Sequence, residues 1–212
     1  MTIDRPTTQP PEWAESLLRL VLAPKDRDSV SGDLLEEYRE SIVPARGMKA
    51  DRWYIRQVGW YVLRATWAWG ALVAAICLWR YMLDTLAPIH YTRGVVAFRS
   101  AVMSQSLMAT FFATGAWHAW RTGNLAAGVL LALVTAWIGG ALSIAGTALL
   151  LAVRHDPATM AAIDGSGGVG ELWAIPLFLQ PFIGTICGLL GALVGRIAAA
   201  VQRWSSASTK SA

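Results

Sequence analysis

ATWAWGALVAAICLW, residues 65–79, lies between Arg64 and Arg80 and carries no charge. Along a helix those two arginines stand roughly 24 Å apart, so their heads can snorkel to opposite faces of a bilayer. Just ahead of the run, Arg52, Trp53, Tyr54, Arg56, Trp60 and Tyr61 form the cationic and aromatic belt expected where a helix enters a membrane. We therefore expect a helix that starts near residue 48 and a first span over residues 61–83.

Three further charge-free stretches follow, and they predict spans at residues 100–120, 125–153 and 172–195. Arg121, Thr122, Gly123 and Asn124 read as a short turn between the second and third spans. Residues 154–171 read as a solvent loop, and Pro176 with Pro181 should kink the start of the fourth span. A hydrophobic content of 55%, only 15% charged residues and a mean hydropathy of +0.42 agree with a bilayer as solvent. The net charge of +4 gathers at the predicted membrane boundaries and forms no basic face for nucleic acid.

With four spans, the N-terminal segment, the Arg121 turn and the Arg196–Arg203 tail share one side, which the positive-inside rule makes cytoplasmic. Arg93 and Arg99, on the other side, run against that rule. The expected location is thus a bacterial inner membrane with both termini in the cytoplasm. No cleavable signal peptide is expected.

Before the first span, residues 1–11 read as a flexible lead-in and residues 12–60 as a small helical domain. Trp13, Leu17, Leu20 and Val21 form an apolar stripe that Pro24 ends. A second helix over residues 26–43 separates Val30, Leu34, Tyr38 and Ile42 from an acidic arc of Asp33, Glu36, Glu37 and Glu40. Its apolar side should pack on the first helix, and Gly32 would permit close contact. The fold class is thus all-α: a polytopic membrane protein with a small N-terminal helical domain, four transmembrane helices over residues 61–196, and a disordered cytoplasmic tail at 197–212.

PPEWAESLLRLVLAPKDRDSVSGDLLEEYRE, at residues 10–40, and WYIRQV, at 53–58, resemble the second type of acidobacterial permease prefix domain. In that family a short helical domain precedes the first membrane helix of FtsX-like, MacB-like ABC permeases. The resemblance covers the first 60 to 80 residues. The remaining chain has no room for the family's large periplasmic domain, and no G-x-x-x-x-G-K-[ST] loop is present, so it implies a stand-alone relative that keeps the prefix.

Four groups of residues merit weighing as sites. The arc Asp33, Glu36, Glu37 and Glu40 offers a dock for a basic partner or a cation, against the plainer reading of a solvated face paired with Arg52 or Arg56. Ser100, Ser104, Thr110, Thr114 and His118 share one side of the second span, as a polar path or as hydroxyls bonded to their own helix. Gly184, Gly188, Gly191 and Gly195 make a smooth face, for packing within the bundle or for a homo-oligomer. Gly165, Gly167 and Gly170 match G-x-G-x-x-G only formally, because no strand precedes them.

Cys77 and Cys187 lack metal-ligand spacing, and His90, His118 and His155 have no second ligand at i+3 or i+4, so no cofactor or metal is expected. Most of the eleven tryptophans, Trp53 among them, lie near predicted helix ends as interfacial anchors. The expected function is a non-enzymatic accessory or regulatory membrane protein, associated with an ABC-type permease or a regulator. A small transporter or channel component is the alternative. An intramembrane enzyme has least support, since no acid, base or nucleophile pair lies inside the spans.

Overall fold

The computed structural model describes residues 9–46, 49–86, 93–153 and 173–208. Most of the lead-in, the segment holding His90, the loop of Gly165, Gly167 and Gly170, and the last four residues of the tail lie outside these. Every element among the described residues is helical: α1 Glu12–Val21, α2 Pro24–Glu37, α3 Val43–Arg46, α4 Ala50–Leu86, α5 Arg93–Thr122, α6 Leu125–Val153 and α7 Gln180–Ser208.

Two π-helical turns interrupt this succession, Tyr38–Ile42 before α3 and Ile175–Leu179 before α7. Both stand directly upstream of a proline. Val43 N–H reaches back to the Tyr38 carbonyl ahead of Pro44, and Gln180 N–H to that of Ile175 ahead of Pro181. Proline has no N–H and its ring crowds the carbonyl four residues back, so one residue of widening lets the helical path continue. The second helix therefore does not stop at residue 43 as expected. Pro24, likewise, opens α2 at its first turn besides following α1.

α4 is continuous from the N-terminal region into the apolar run. Three helical stretches are long and apolar enough to cross a bilayer: Ala50–Arg80, Leu125–Val153 and Ile175–Ser205. α5, with a serine, threonine, glutamine or histidine at almost every turn, is not among them. α6 touches α4, α5 and α7, while α5 packs most extensively on α7. The surface of α7 exposes Phe182, Ile186, Leu190, Leu193, Ile197 and Val201. An apolar stripe of that length belongs in lipid. α7 also runs on through residues 197–208, so that part of the expected disordered tail is helix.

The N-terminal helices share one core of Ala14, Leu18, Leu34, Tyr38, Ile42, Ala50, Trp53, Tyr54 and Val58. α1 sits about one residue out of the expected register. Ala14, Leu18 and Val21 are buried while Trp13 is 58% exposed, because α1 packs chiefly on α4 and also meets α5 and α6. Trp53, 6% exposed, is a core residue and no interfacial anchor. Gly32 has nothing within 4 Å of the position a Cβ would take, so it serves no close helix contact.

Candidate functional site

Three places hold the residues singled out above: the outer face of α2, the interior between α4, α5, α6 and the start of α7, and the α5–α6 turn. On α2 and the π-turn after it, the burial of Leu34, Tyr38 and Ile42 turns Asp33, Glu36, Glu37 and Glu40 to solvent, where all four are exposed. Among the described residues no ion pair joins them to Arg52 or Arg56, and no group of three His, Cys, Asp or Glu side chains converges as a metal site. The arc thus presents negative charge without a partner from α4.

Tyr38 sets the opposite side. Its hydroxyl donates to Asp51 Oδ1 at 2.5 Å, and its ring meets that of Tyr54 edge to face at a centroid distance of 5.6 Å. Burial, then the bond to and the charge of Asp51, push the Tyr38 phenol up to about 12. The bond ties the end of α2 to the start of α4 and so holds the acidic arc facing outward.

Among the interior residues, Thr110 and Thr114 are buried, and their hydroxyls donate to the carbonyls of Ser106 and Thr110. Ser104 is exposed instead. It borders a cleft of about 140 Å³, remote from the α5–α6 turn, whose deeper wall includes Cys77, Phe111, Ser143, Thr147 and Gln180. No charged side chain lines it. Fully buried Phe111 lies between Ser104 and the pair Thr114 and His118, so the cleft and the histidine are separate places along α5. His118 is 3% exposed, and its Nε2 is buried without a hydrogen-bond partner, as is the Thr135 hydroxyl.

The four glycines of α7 face α5 and α6 of the same chain. A Cβ on Gly184 would lie 2.9 Å from Cβ of Ala136, and one on Gly188 would overlap Ala132. On Gly191 and Gly195 it would overlap the carbonyl oxygens of Phe112 and Ala116. Gly115, Gly128, Gly139 and Gly140, which sequence reasoning passed over, are equally tight against Gly188, Ala192, Val73 and Pro176. Only small residues allow such approach between backbones in lipid, where packing replaces the hydrophobic drive of water.

The turn carries a contact with no sequence signature. Gly123, at φ +67°, ends α5 with its N–H on the Ala119 carbonyl, and Asn124 Oδ1 accepts the Ala126 N–H to start α6. The Arg27 guanidinium donates to the Thr122 carbonyl at 3.1 Å and, through Nε, to that of Leu22. One side chain thereby ties the α1–α2 junction to the negative end of α5. Trp120 Nε1 donates to Gln202 Oε1 on α7 at the same end. Replacing Arg27 by alanine should cost about 1.5–3 kcal/mol, as for a charged hydrogen bond. Cleavage between α1 and α2 under limited proteolysis should accelerate by an order of magnitude or more. An unchanged rate would mean that this junction is held otherwise.

Searched against protein families, curated proteins and solved structures, the chain matches none.

Proposed function

We propose that this chain is a membrane-embedded accessory or regulatory protein with four spans, whose N-terminal helices dock a protein partner through Asp33, Glu36, Glu37 and Glu40. In this reading α5 is the additional span: residues 100–120 carry no charge, and Thr110, Thr114 and His118 are buried, with both threonine hydroxyls bonded to their own helix. Four spans place both termini on the side richest in short-loop arginine and lysine, the cytoplasmic face of a bacterial inner membrane. The resemblance of residues 10–58 to a permease prefix domain makes an ABC-type permease, or a regulator of one, the partner class.

The observation that carries the proposal is the exposed arc itself. Its carboxylates stand on the side of α2 turned away from the shared core, held there by Tyr38 and Asp51 and free of the α4 arginines. Complementary charge of that kind chiefly raises association rate and selects partners. A tagged copy crosslinked in native membranes should capture a permease subunit or regulator, and Glu36→Ala, Glu37→Ala and Glu40→Ala together should abolish the capture. Equal capture by both forms would remove the docking face.

A second reading, a small transporter component, draws on the uncharged cleft. It predicts flux from the purified protein in liposomes, reduced when Ser104 is replaced by alanine. Flux unchanged by Ser104→Ala, Thr114→Ala and His118→Ala would exclude this route.

A further inference from the structure

α4 carries a row of exposed arginines and tryptophans along the flank of the N-terminal core. Ala50, Trp53, Tyr54 and Val58 are buried, whereas Arg52, Ile55, Arg56, Trp60, Leu63, Arg64 and Trp67 are exposed. At 100° per residue, Arg52, Arg56, Trp60, Leu63 and Trp67 occupy an arc of about 80° flanking the buried side, and Arg64 lies about 40° further round, in line with Trp53 but about three turns beyond it. Trp60 and Trp67 are 61% and 58% exposed. From residue 52 to residue 83 the chain has no acid. The nearest one before them, Asp51, accepts the Tyr38 hydroxyl on the inward side.

We propose that Arg56, Trp60 and Arg64 form a binding site for the headgroups of anionic phospholipids, with Arg52 as a weaker outer charge. The occupant follows from continuity and charge: the same helix, unbroken, becomes the apolar run that crosses the bilayer. Centring the Arg64–Arg80 interval on a hydrocarbon layer of about 30 Å puts the Arg64 backbone roughly 3 Å inside its edge. Helical side chains lean toward the N-terminus, so the Arg64 guanidinium rises into the phosphate layer. By the same count Trp60 lies about 3 Å beyond the edge, Arg56 about 9 Å and Arg52 about 15 Å.

The headgroup layer is roughly 5–7 Å thick, and the Debye length at physiological salt is about 8 Å. Arg64 therefore sits within the layer, Arg56 at its rim, and Arg52 near the limit of its field. The acidic arc, on another helix, would be repelled by the same surface. Lipid at this face would thus also orient the N-terminal helices with the arc away from the membrane.

Native mass spectrometry of the full-length protein in mixed micelles, with equal phosphatidylglycerol and phosphatidylcholine, tests the site. Wild type should retain phosphatidylglycerol several-fold over phosphatidylcholine. Arg64→Gln should lower that ratio roughly fivefold, Arg56→Gln about twofold, and Arg52→Gln less than twofold, since each arginine near such a surface acts with about that strength. Arg64→Lys, which keeps the charge, should hold most of the preference, and circular dichroism should show unchanged helix content throughout. Equal retention of the two lipids by wild type would overturn the proposal, as would a ratio untouched by Arg56→Gln and Arg64→Gln combined. A largest loss from Arg52→Gln would overturn the assigned depths and with them the site.

Discussion

Gly191→Ala is expected to destabilise the helix pack by about 1–3 kcal/mol, although alanine is the better helix former. The added methyl would overlap the carbonyl oxygen of Phe112 on α5, and a backbone oxygen cannot turn aside as a flexible side chain can. α5 and α7 must then move apart along their whole contact, which also carries Gly115 against the Gly188 carbonyl and Gly195 against the Ala116 carbonyl. Gly195→Ala should cost a similar amount alone. The double change should cost less than the sum, because the first methyl already separates the helices. Gly32→Ala is the opposite case: with nothing within 4 Å, it should stabilise α2 by roughly 0.5–1 kcal/mol through backbone entropy. Reversible unfolding in mixed micelles measures both. A neutral Gly191→Ala would mean that α5 and α7 do not meet backbone to backbone.

Tyr38→Ala is expected to cost about 3–5 kcal/mol, the range for removing a large buried aromatic side chain. Tyr38 is 1% exposed, stacks edge to face on Tyr54 and bonds Asp51, so its loss empties the centre of the N-terminal core and strands a carboxylate. Tyr38→Phe keeps the ring and should cost about 1.5–3 kcal/mol, the part due to the charged hydrogen bond. Tyr38 also sets a pH dependence. Its folded pKa of about 12 lies above the ordinary phenol value of 10.0, so the folded state holds the proton more tightly. The resulting stability is fully present below pH 10 and is lost as pH rises through about 12. Hydrogen exchange in α1, α2 and the start of α4 should report both effects, and Tyr38→Phe should flatten the alkaline slope. A slope unchanged in Tyr38→Phe would assign the titration to another group.

Part of this architecture was readable from local pattern. The absence of charge over residues 65–79 and 125–153 marked two of the stretches that are long and apolar enough to cross a bilayer, and the fourth predicted span overlaps the third, Ile175–Ser205. The turn at Thr122, Gly123 and Asn124 was legible because glycine and asparagine there answer a local need for a helix end and start. The outward direction of Asp33, Glu36, Glu37 and Glu40 followed from period alone. The register of α1 did not, because its stripe was read against α2, whereas α4, α5 and α6 also compete for its buried side. Trp53 was misplaced for a related reason. Proximity to a membrane boundary does not tell a headgroup anchor from a core residue until the helix above the boundary has a packing partner.

By itself, then, the sequence determined what depends on each residue's own solvation and on neighbours within a turn or two. That covers which stretches favour lipid, where α5 ends and α6 begins, and which side of α2 is charged. Only the tertiary structure decided that the α7 glycines meet α5 and α6 of the same chain. It also decided that Tyr38 meets Asp51 and that Arg27 reaches a carbonyl 95 positions away. The physical reason is that such contacts are set by the relative rotation and height of helices far apart in the chain. Close packing discriminates among those arrangements by ångströms, and helical periodicity carries no information about them.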